Sequence, residues 1–377
     1  MKALISAYAR TPFHFARKGA LAGMRPDTLA AHLIRAFTQQ LDIDPSSLED
    51  VRAGCAYPEG PQGNNVARIA SLLAGFPHSL SGMTVNRFCG SSMSALHIAA
   101  AQIEAGMGEA YLCFGVESMS QVPQGGLTFS PNPELLEHTD AYINMGETAE
   151  NVASLYPISR ADQEKLALQS HSNAALARRE GRLSDEIIPI RLVSGDLIRE
   201  DGCIRPATSL EALAGLSPAF RPDGLVTAGT SSPLTDGAAA VLVTTEAYAY
   251  RHGLAPLARV MGMATAGVDP ALMGLGPVPA TRKALAHAGI KAEALDVVEI
   301  NEAFASQALA CIRELGLNEN TINLDGGGLA IGHPLGATGA RITGKAAALL
   351  KRTGGQYALA TQCIGGGQGV ATVLERL

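Results

Sequence analysis

Short apolar runs alternate along this chain with stretches of helical periodicity, and that alternation limits the possible folds more than any other feature. AYLCFGV (110–116), VVEI (297–300) and YALATQ (357–362) read as buried strands. Residues 92–105, 161–180, 279–288, 302–315 and 339–352 repeat their apolar positions at helical spacing. Strands and helices in alternation predict a layered α/β architecture, because each sheet face must be covered by another layer. Over 377 residues, 47% hydrophobic and 17% charged, there is enough chain for two or more cores of this kind. The 41 glycines and 20 prolines, without any low-complexity tract, add many tight turns.

The stretch from Glu117 to about Thr235 breaks the pattern. Turn signals such as QVPQGG and SPNP, one long polar helix and few strand runs mark it as an inserted loop-rich domain, residues 117–235. It leaves an N-terminal half at 1–116, completed by about 236–256, and a C-terminal half at 257–377. TVNRFCGSSMSALHIAA and NLDGGGLAIGHPLGATGARITGKAA both run from a strand through a small-residue turn into a helix, each with a reactive side chain at or just before the helix start. The shared plan suggests a duplicated half.

A net charge of −6 and the lack of any Lys/Arg run argue against nucleic acid or an anionic membrane as partner. An anionic ligand would need local basic residues. MKALISAYARTPF resembles a leader with its small-residue pattern, but its apolar stretch runs straight into Arg10 and Pro12 and reads as a first strand. No stretch reaches the ~18 apolar residues of a membrane span. The six cysteines (55, 89, 113, 203, 311 and 363) are scattered, with no CxxC pair and no histidine cluster, so neither a metal site nor a disulfide framework is expected and a reduced, cytoplasmic setting is.

Four stretches could carry chemistry. Cys89 stands at a predicted helix start, where unpaired N–H groups and the macrodipole favour a thiolate; otherwise it is a structural cysteine, as Cys55, Cys113, Cys203 and Cys311 are read. His333, in GGGLAIGHPLGATGAR (326–341), lies on a glycine-shaped loop and could exchange a proton with Cys89, or be a solvated loop histidine. In CIGGGQG (363–369), the glycines would expose the Cys363 thiol and offer N–H groups to an anion, or simply close a hairpin. Asn301, opening NEAFA after the strand VVEI, is a helix N-cap or a residue that orients a water. All four fall at C-terminal ends of predicted strands, where α/β sheets build their sites.

NRFCGSS, NEAFA, GGGLAIGHPLGATGAR and CIGGGQG, in this order and near these spacings, resemble the thiolases, CoA-dependent enzymes that make or cleave 3-oxoacyl-CoA. TAGTSSPLTDGAAA (227–240) and MGETAEN (145–151) resemble thiolase segments too, so the likeness spans the chain. It implies a thiolase fold: two similar βαβαβαββ halves in five αβαβα layers, with the loop domain inserted in the first and binding coenzyme A. It implies Cys89 as acyl-accepting nucleophile, Cys363 as the thiol that exchanges the α-carbon proton, and His333 as the base for Cys89. His333 would also bind the enolate oxygen with a water held by Asn301, and the N–H groups of Cys89 and Gly365 would form a second oxyanion pocket. By the same resemblance Arg205 lies beside the adenine nucleotide, Ser232 on the pantetheine arm, and Met145 and Phe304 at the reactive end; Arg205 is otherwise an ordinary exposed arginine.

The resemblance implies acetyl-CoA, acyl-CoA and 3-oxoacyl-CoA as reactants, no tightly bound cofactor, a homodimer or homotetramer, and a β-oxidation multienzyme as a further partner. Asn144 stands where many biosynthetic acetoacetyl-CoA thiolases have histidine, and Ser91 and Ser92 stand where glycine is more frequent. NRFCGSSMSALH and TAGTSSPLTDGAA are closer to degradative 3-ketoacyl-CoA thiolases. The alternatives are a biosynthetic acetyl-CoA acetyltransferase, a ketoacyl synthase, against which Cys363 speaks, and a non-catalytic acyl-CoA or lipid binder, which would have lost a reactive residue.

Overall fold

The computed structural model of the chain describes residues 2–377. Nine strands carry the architecture: β1 (Leu4–Arg10), β2 (Asp50–Gly54), β3 (Ser81–Val85), β4 (Ala110–Ser118), β5 (Thr235–Thr244), β6 (Ala258–Gly267), β7 (Val297–Ile300), β8 (Tyr357–Ile364) and β9 (Gln368–Glu375). In the first half β1 pairs antiparallel with β5, β5 antiparallel with β4, β4 parallel with β2, and β2 parallel with β3. The second half repeats this order: β6 antiparallel with β9, β9 with β8, and β8 parallel with β7. A parallel bridge from Val298 to Ile322 takes the place of β3. The halves join where Leu4 pairs with Arg259 and Ile5 with Ala258.

Helices α1 (Pro26–Gln40) and α2 (Val66–Leu73) cover the outside of the first sheet. Between the sheets lie α3 (Ser91–Glu104) and, near the C-terminus, the helix Leu335–Thr353, which touches strands of both halves. In the middle segment come α4 (Met145–Leu155) and α5 (Arg160–Arg179), and the outside of the second sheet is covered by α6 (Pro277–Ala288) and α7 (Ala305–Leu315). With Leu335–Thr353 as α8, the layers run helix, sheet, helix, sheet, helix.

Sequence explains each layer. The strands β4 and β5, covered on both faces, are buried along their whole length and apolar or small rather than alternating, except at Glu117 and Asp236. The edge strand β3 alternates exposed and half-buried residues. Nearly every residue of α8 is buried, as a helix between two sheets requires, and Gly336, Ala337, Gly339, Ala340 and Gly344 keep it slim. Ser92, at one of the positions where the resembled family has glycine more often, accepts a 2.8 Å hydrogen bond from the Ala340 N–H and ties α3 to α8.

Two boundaries differ from the periodicity. Helix α7 starts at Ala305 rather than 302, because Ser231 bridges Phe304 and the Ser232 N–H donates to the Ala303 carbonyl, which keeps 301–304 extended. Helix α8 starts at Leu335 rather than 339, its first turn being too small-residued to register as an apolar face. The segment between β4 and β5 holds α4, α5 and a short hairpin of Ile190–Arg191 with Leu197–Ile198. It is tied to the core by buried ions: Arg10 donates to Glu186 at 2.7 Å and to Asp201 at 2.6 Å, and Lys345 lies 2.8 Å from Glu186. Among the described residues, no helix is long and apolar enough to cross a membrane.

Candidate active site

Duplication brings the reactive residues together. Cys89 follows β3 and precedes α3, and His333 holds the corresponding place before α8 in the second half. The two central helices pack side by side, so their starts converge. Asn301 directly follows β7, and Cys363 is the penultimate residue of β8, inside the strand rather than after it. Gly366 and Gly367, at φ of 75° and 76°, turn the chain from β8 into β9 in a left-handed conformation that a side chain would strain.

One cavity of about 500 Å³ is lined by Cys89, His333 and Cys363 together with Met145, Phe304, Ser232 and Arg205. Gly365 lines an adjoining cavity that also reaches Cys89. Asn301 lines neither: it is fully buried behind His333, its Nδ2 3.3 Å from the His333 Nε2. The N-cap alternative for Asn301 is excluded, since Phe304 holds that position of α7. The Asn301 Oδ1 has no partner in the protein, and whichever way the amide is turned one polar atom stays free for a small ligand.

Burial governs the protonation of the site. The His333 imidazole, buried and near Arg341, is held neutral, its pKa lowered to about 3. Its Nδ1 lies 2.6 Å from the Thr338 hydroxyl, which reaches the Pro334 carbonyl at 3.3 Å. With Thr338 donating to that carbonyl, it accepts from Nδ1–H, and the Nε2 lone pair, which faces the Asn301 Nδ2 at 3.3 Å, is the ring's one basic position. The Cys89 thiol does not follow the sequence expectation. Burial pushes it up to about 11, although the nearby backbone N–H groups of Gly365 and of Cys89 itself pull it down. The reason is position: Cys89 sits in a turn, Phe88–Gly90, one residue before the helix cap, where the terminus contributes at most ~2 kcal/mol and fades quickly. Cys363 is raised further above the ordinary thiol value, by burial and then by the neighbouring Cys89.

Several participants were not legible beforehand. Phe88 carries a φ of 43°, uncommon for an aromatic residue, directly before Cys89; the Asn86 side chain accepts from its N–H at 2.9 Å. Gln362 donates to the Cys89 carbonyl. Glu117, fully buried, accepts from the N–H groups of Ala56 at 2.8 Å and Gly336 at 2.9 Å, so one carboxylate joins the loop after β2 to the first turn of α8. Lys18 and Arg205 stack over the Phe15 ring, at 4.7 and 5.2 Å from its centre, and both line the cavity. A single basic residue in a loop gives no pattern by which Lys18 could have been found.

The sequence profile of the thiolase N-terminal domain matches residues 3–247, and that of the thiolase C-terminal domain matches residues 254–376. The chain belongs to the thiolase family. It is 47% identical to the β-ketoadipyl-CoA thiolase of Escherichia coli, over 95% of this chain and 96% of that one. It is 46% identical to the 3-ketoacyl-CoA thiolase of Saccharophagus degradans, over 99% and 98% of the two chains. The crystal structure of the Bacillus anthracis acetyl-CoA acetyltransferase superposes with a TM-score of 0.91 at 39% identity, covering 100% of this chain and 99% of that one. In this thiolase all six cysteines are free, and among the described residues no three His, Cys, Asp or Glu side chains are grouped to hold a metal ion.

Proposed function

We propose that this chain is an acyltransferase that cleaves 3-oxoacyl-CoA with coenzyme A, through an acyl-cysteine, to acetyl-CoA and a shortened acyl-CoA. The carrying observation is that two thiols from different halves and one neutral imidazole line a single cavity that Ser232, Arg205 and Lys18 line as well. Cys89 passes its proton to the His333 Nε2 as its sulfur attacks C3. The C2–C3 bond breaks, its electron pair forms the enolate of acetyl-CoA, and the Cys363 S–H protonates C2. Free CoA–SH returns that proton to Cys363, its sulfur takes the acyl group, and Cys89 recovers its own proton from His333. The covalent intermediate divides one difficult step into two. His333, with a water on Asn301, stabilises the enolate oxygen, while the N–H groups of Cys89 and Gly365 stabilise the tetrahedral oxyanion; one such donor is typically worth ~10² to 10³ in rate.

Residues 117–235 form the CoA-binding unit between halves 1–116, completed by 236–256, and 257–377. Coenzyme A enters as a reactant, and no tightly bound cofactor takes part. The pyrophosphate of CoA meets Arg205 and Lys18, a local cationic patch on a chain of net charge −6. Met145 and Phe304 flank the reactive end. A homo-oligomer, dimer or tetramer, fits the edge strand β3, which pairs on one side only. The free cysteines suit a cytoplasmic setting, with a β-oxidation multienzyme as a further partner. Condensation of two acetyl-CoA is the same chemistry reversed with a smaller acyl group. Mass spectrometry with acetyl-CoA tests the assignment: Cys363→Ala retains an acetyl group on Cys89 yet neither makes nor breaks the C–C bond, and Cys89→Ala stays unmodified. An acetylated residue elsewhere in Cys89→Ala overturns it.

A further inference from the structure

The cavity that holds Arg205 and Ser232 does not end at Cys89. A second cavity, of about 390 Å³, adjoins it and shares Cys89, Gln124, Asn144, Met145 and Leu335 with the first. Beyond the shared residues its lining is apolar at Tyr57, Phe88 and Ile143, aromatic and solvent-exposed at Phe129 and Tyr142, and polar but uncharged at Asn86, Thr128 and Ser130. The Tyr57 and Phe88 rings meet at 5.7 Å, and those of Phe129 and Tyr142 meet edge to face at 5.8 Å. Among the described residues, no Lys, Arg or His lines this space, and Glu59 is its one carboxylate. Glu59 accepts from the Leu127 N–H at 2.6 Å and makes no ion pair among the described residues.

With C3 of a 3-oxoacyl-CoA at the Cys89 sulfur and its thioester in the first cavity, the acyl chain beyond C3 has the second cavity to enter. We propose that this second cavity is the acyl site and that it selects uncharged chains, aliphatic or aromatic, with Glu59 turning away chains that end in a carboxylate. The inference rests on the thiolase reading above. A carboxylate entering here gives up hydration with no cation to receive it and meets the like charge of Glu59. A methyl end gains from the same burial. The distinction matters because the relatives named for β-ketoadipyl-CoA and for 3-ketoacyl-CoA are almost equally similar to this chain, at 47% and 46% identity.

Two six-carbon substrates that differ only in a terminal methyl or carboxylate, 3-oxohexanoyl-CoA and 3-oxoadipyl-CoA, test it. For the wild type, kcat/KM is expected to favour 3-oxohexanoyl-CoA by about 30-fold or more. Glu59→Lys, read as the ratio within the same variant, narrows that preference by about 10-fold or more, and Glu59→Gln narrows it less. Equal kcat/KM for the two substrates in the wild type overturns this inference alone, as does a ratio that neither variant moves. Cleavage of neither substrate overturns the thiolase reading and this inference with it.

Discussion

Cys89 shows how little of a residue's chemistry is set by its type and neighbours in sequence. The motif positions a thiol near a helix start, which favours the thiolate, whereas the folded site half-buries it and raises it to about 11. With His333 held neutral, its pKa near 3, the resting pair is thiol and imidazole rather than thiolate and imidazolium. Alkylation of Cys89 by iodoacetamide, followed by mass spectrometry of the labelled peptide, is then expected to rise ~10-fold per pH unit between about pH 7 and 10, because only the thiolate reacts and its share grows with each proton removed. A plateau from about pH 8 upward would show a preformed ion pair. Phe88 belongs at this scale too: its positive φ is imposed by the Asn86 cap and its ring's place beside Tyr57, and nothing in the local sequence announces it.

Among the elements, close approach decides the geometry. The first turn of α8, which follows His333, lies directly on strand β4: a Cβ added at Gly115 would stand 2.1 Å from the Gly336 carbonyl oxygen and 2.6 Å from the Ala337 Cα, both backbone atoms that yield only if the helix moves. Gly115→Ala is expected to cost roughly 1–3 kcal/mol, read from urea unfolding. It should also lower kcat by about 100-fold or less, because a shift of the helix start carries His333 out of line with Cys89. Unchanged stability and rate would show that α8 tolerates displacement. The periodicity that marked 279–288 and 161–180 as helices agrees closely with Pro277–Ala288 and Arg160–Arg179, since both present an ordinary polar face. It fails at the start of α8, where small residues on all sides leave no amphipathic signal.

For the molecule as a whole, the middle segment is held to the double-sheet core by buried charge as well as by apolar contact. Arg10, fully buried, is shared by Glu186 and Asp201, and Glu186 is shared in turn with Lys345. Arg10→Met leaves two buried carboxylates short of their cation and is expected to cost about 3–5 kcal/mol of unfolding free energy, seen as a lower Tm and urea midpoint. A variant as stable as the wild type would mean that those carboxylates find water or protonate without penalty. None of these pairs has a sequence signature, because their members lie 159, 176 and 191 residues apart along the chain.

What the sequence determined by itself was the layered α/β class, the positions of the buried strands and most helices, and four reactive stretches at strand ends, because period, glycine placement and residue chemistry are local properties. What only the tertiary structure decided was that β3–α3 and the Ile322 bridge with α8 are equivalent halves whose starts face one another, that Asn301 stands behind His333 rather than capping a helix, that the Cys89 thiol is raised, and that two cavities meet at its sulfur. Each of these depends on burial and on distances between residues far apart in the chain, and both arise only when the two sheets close on their shared helices.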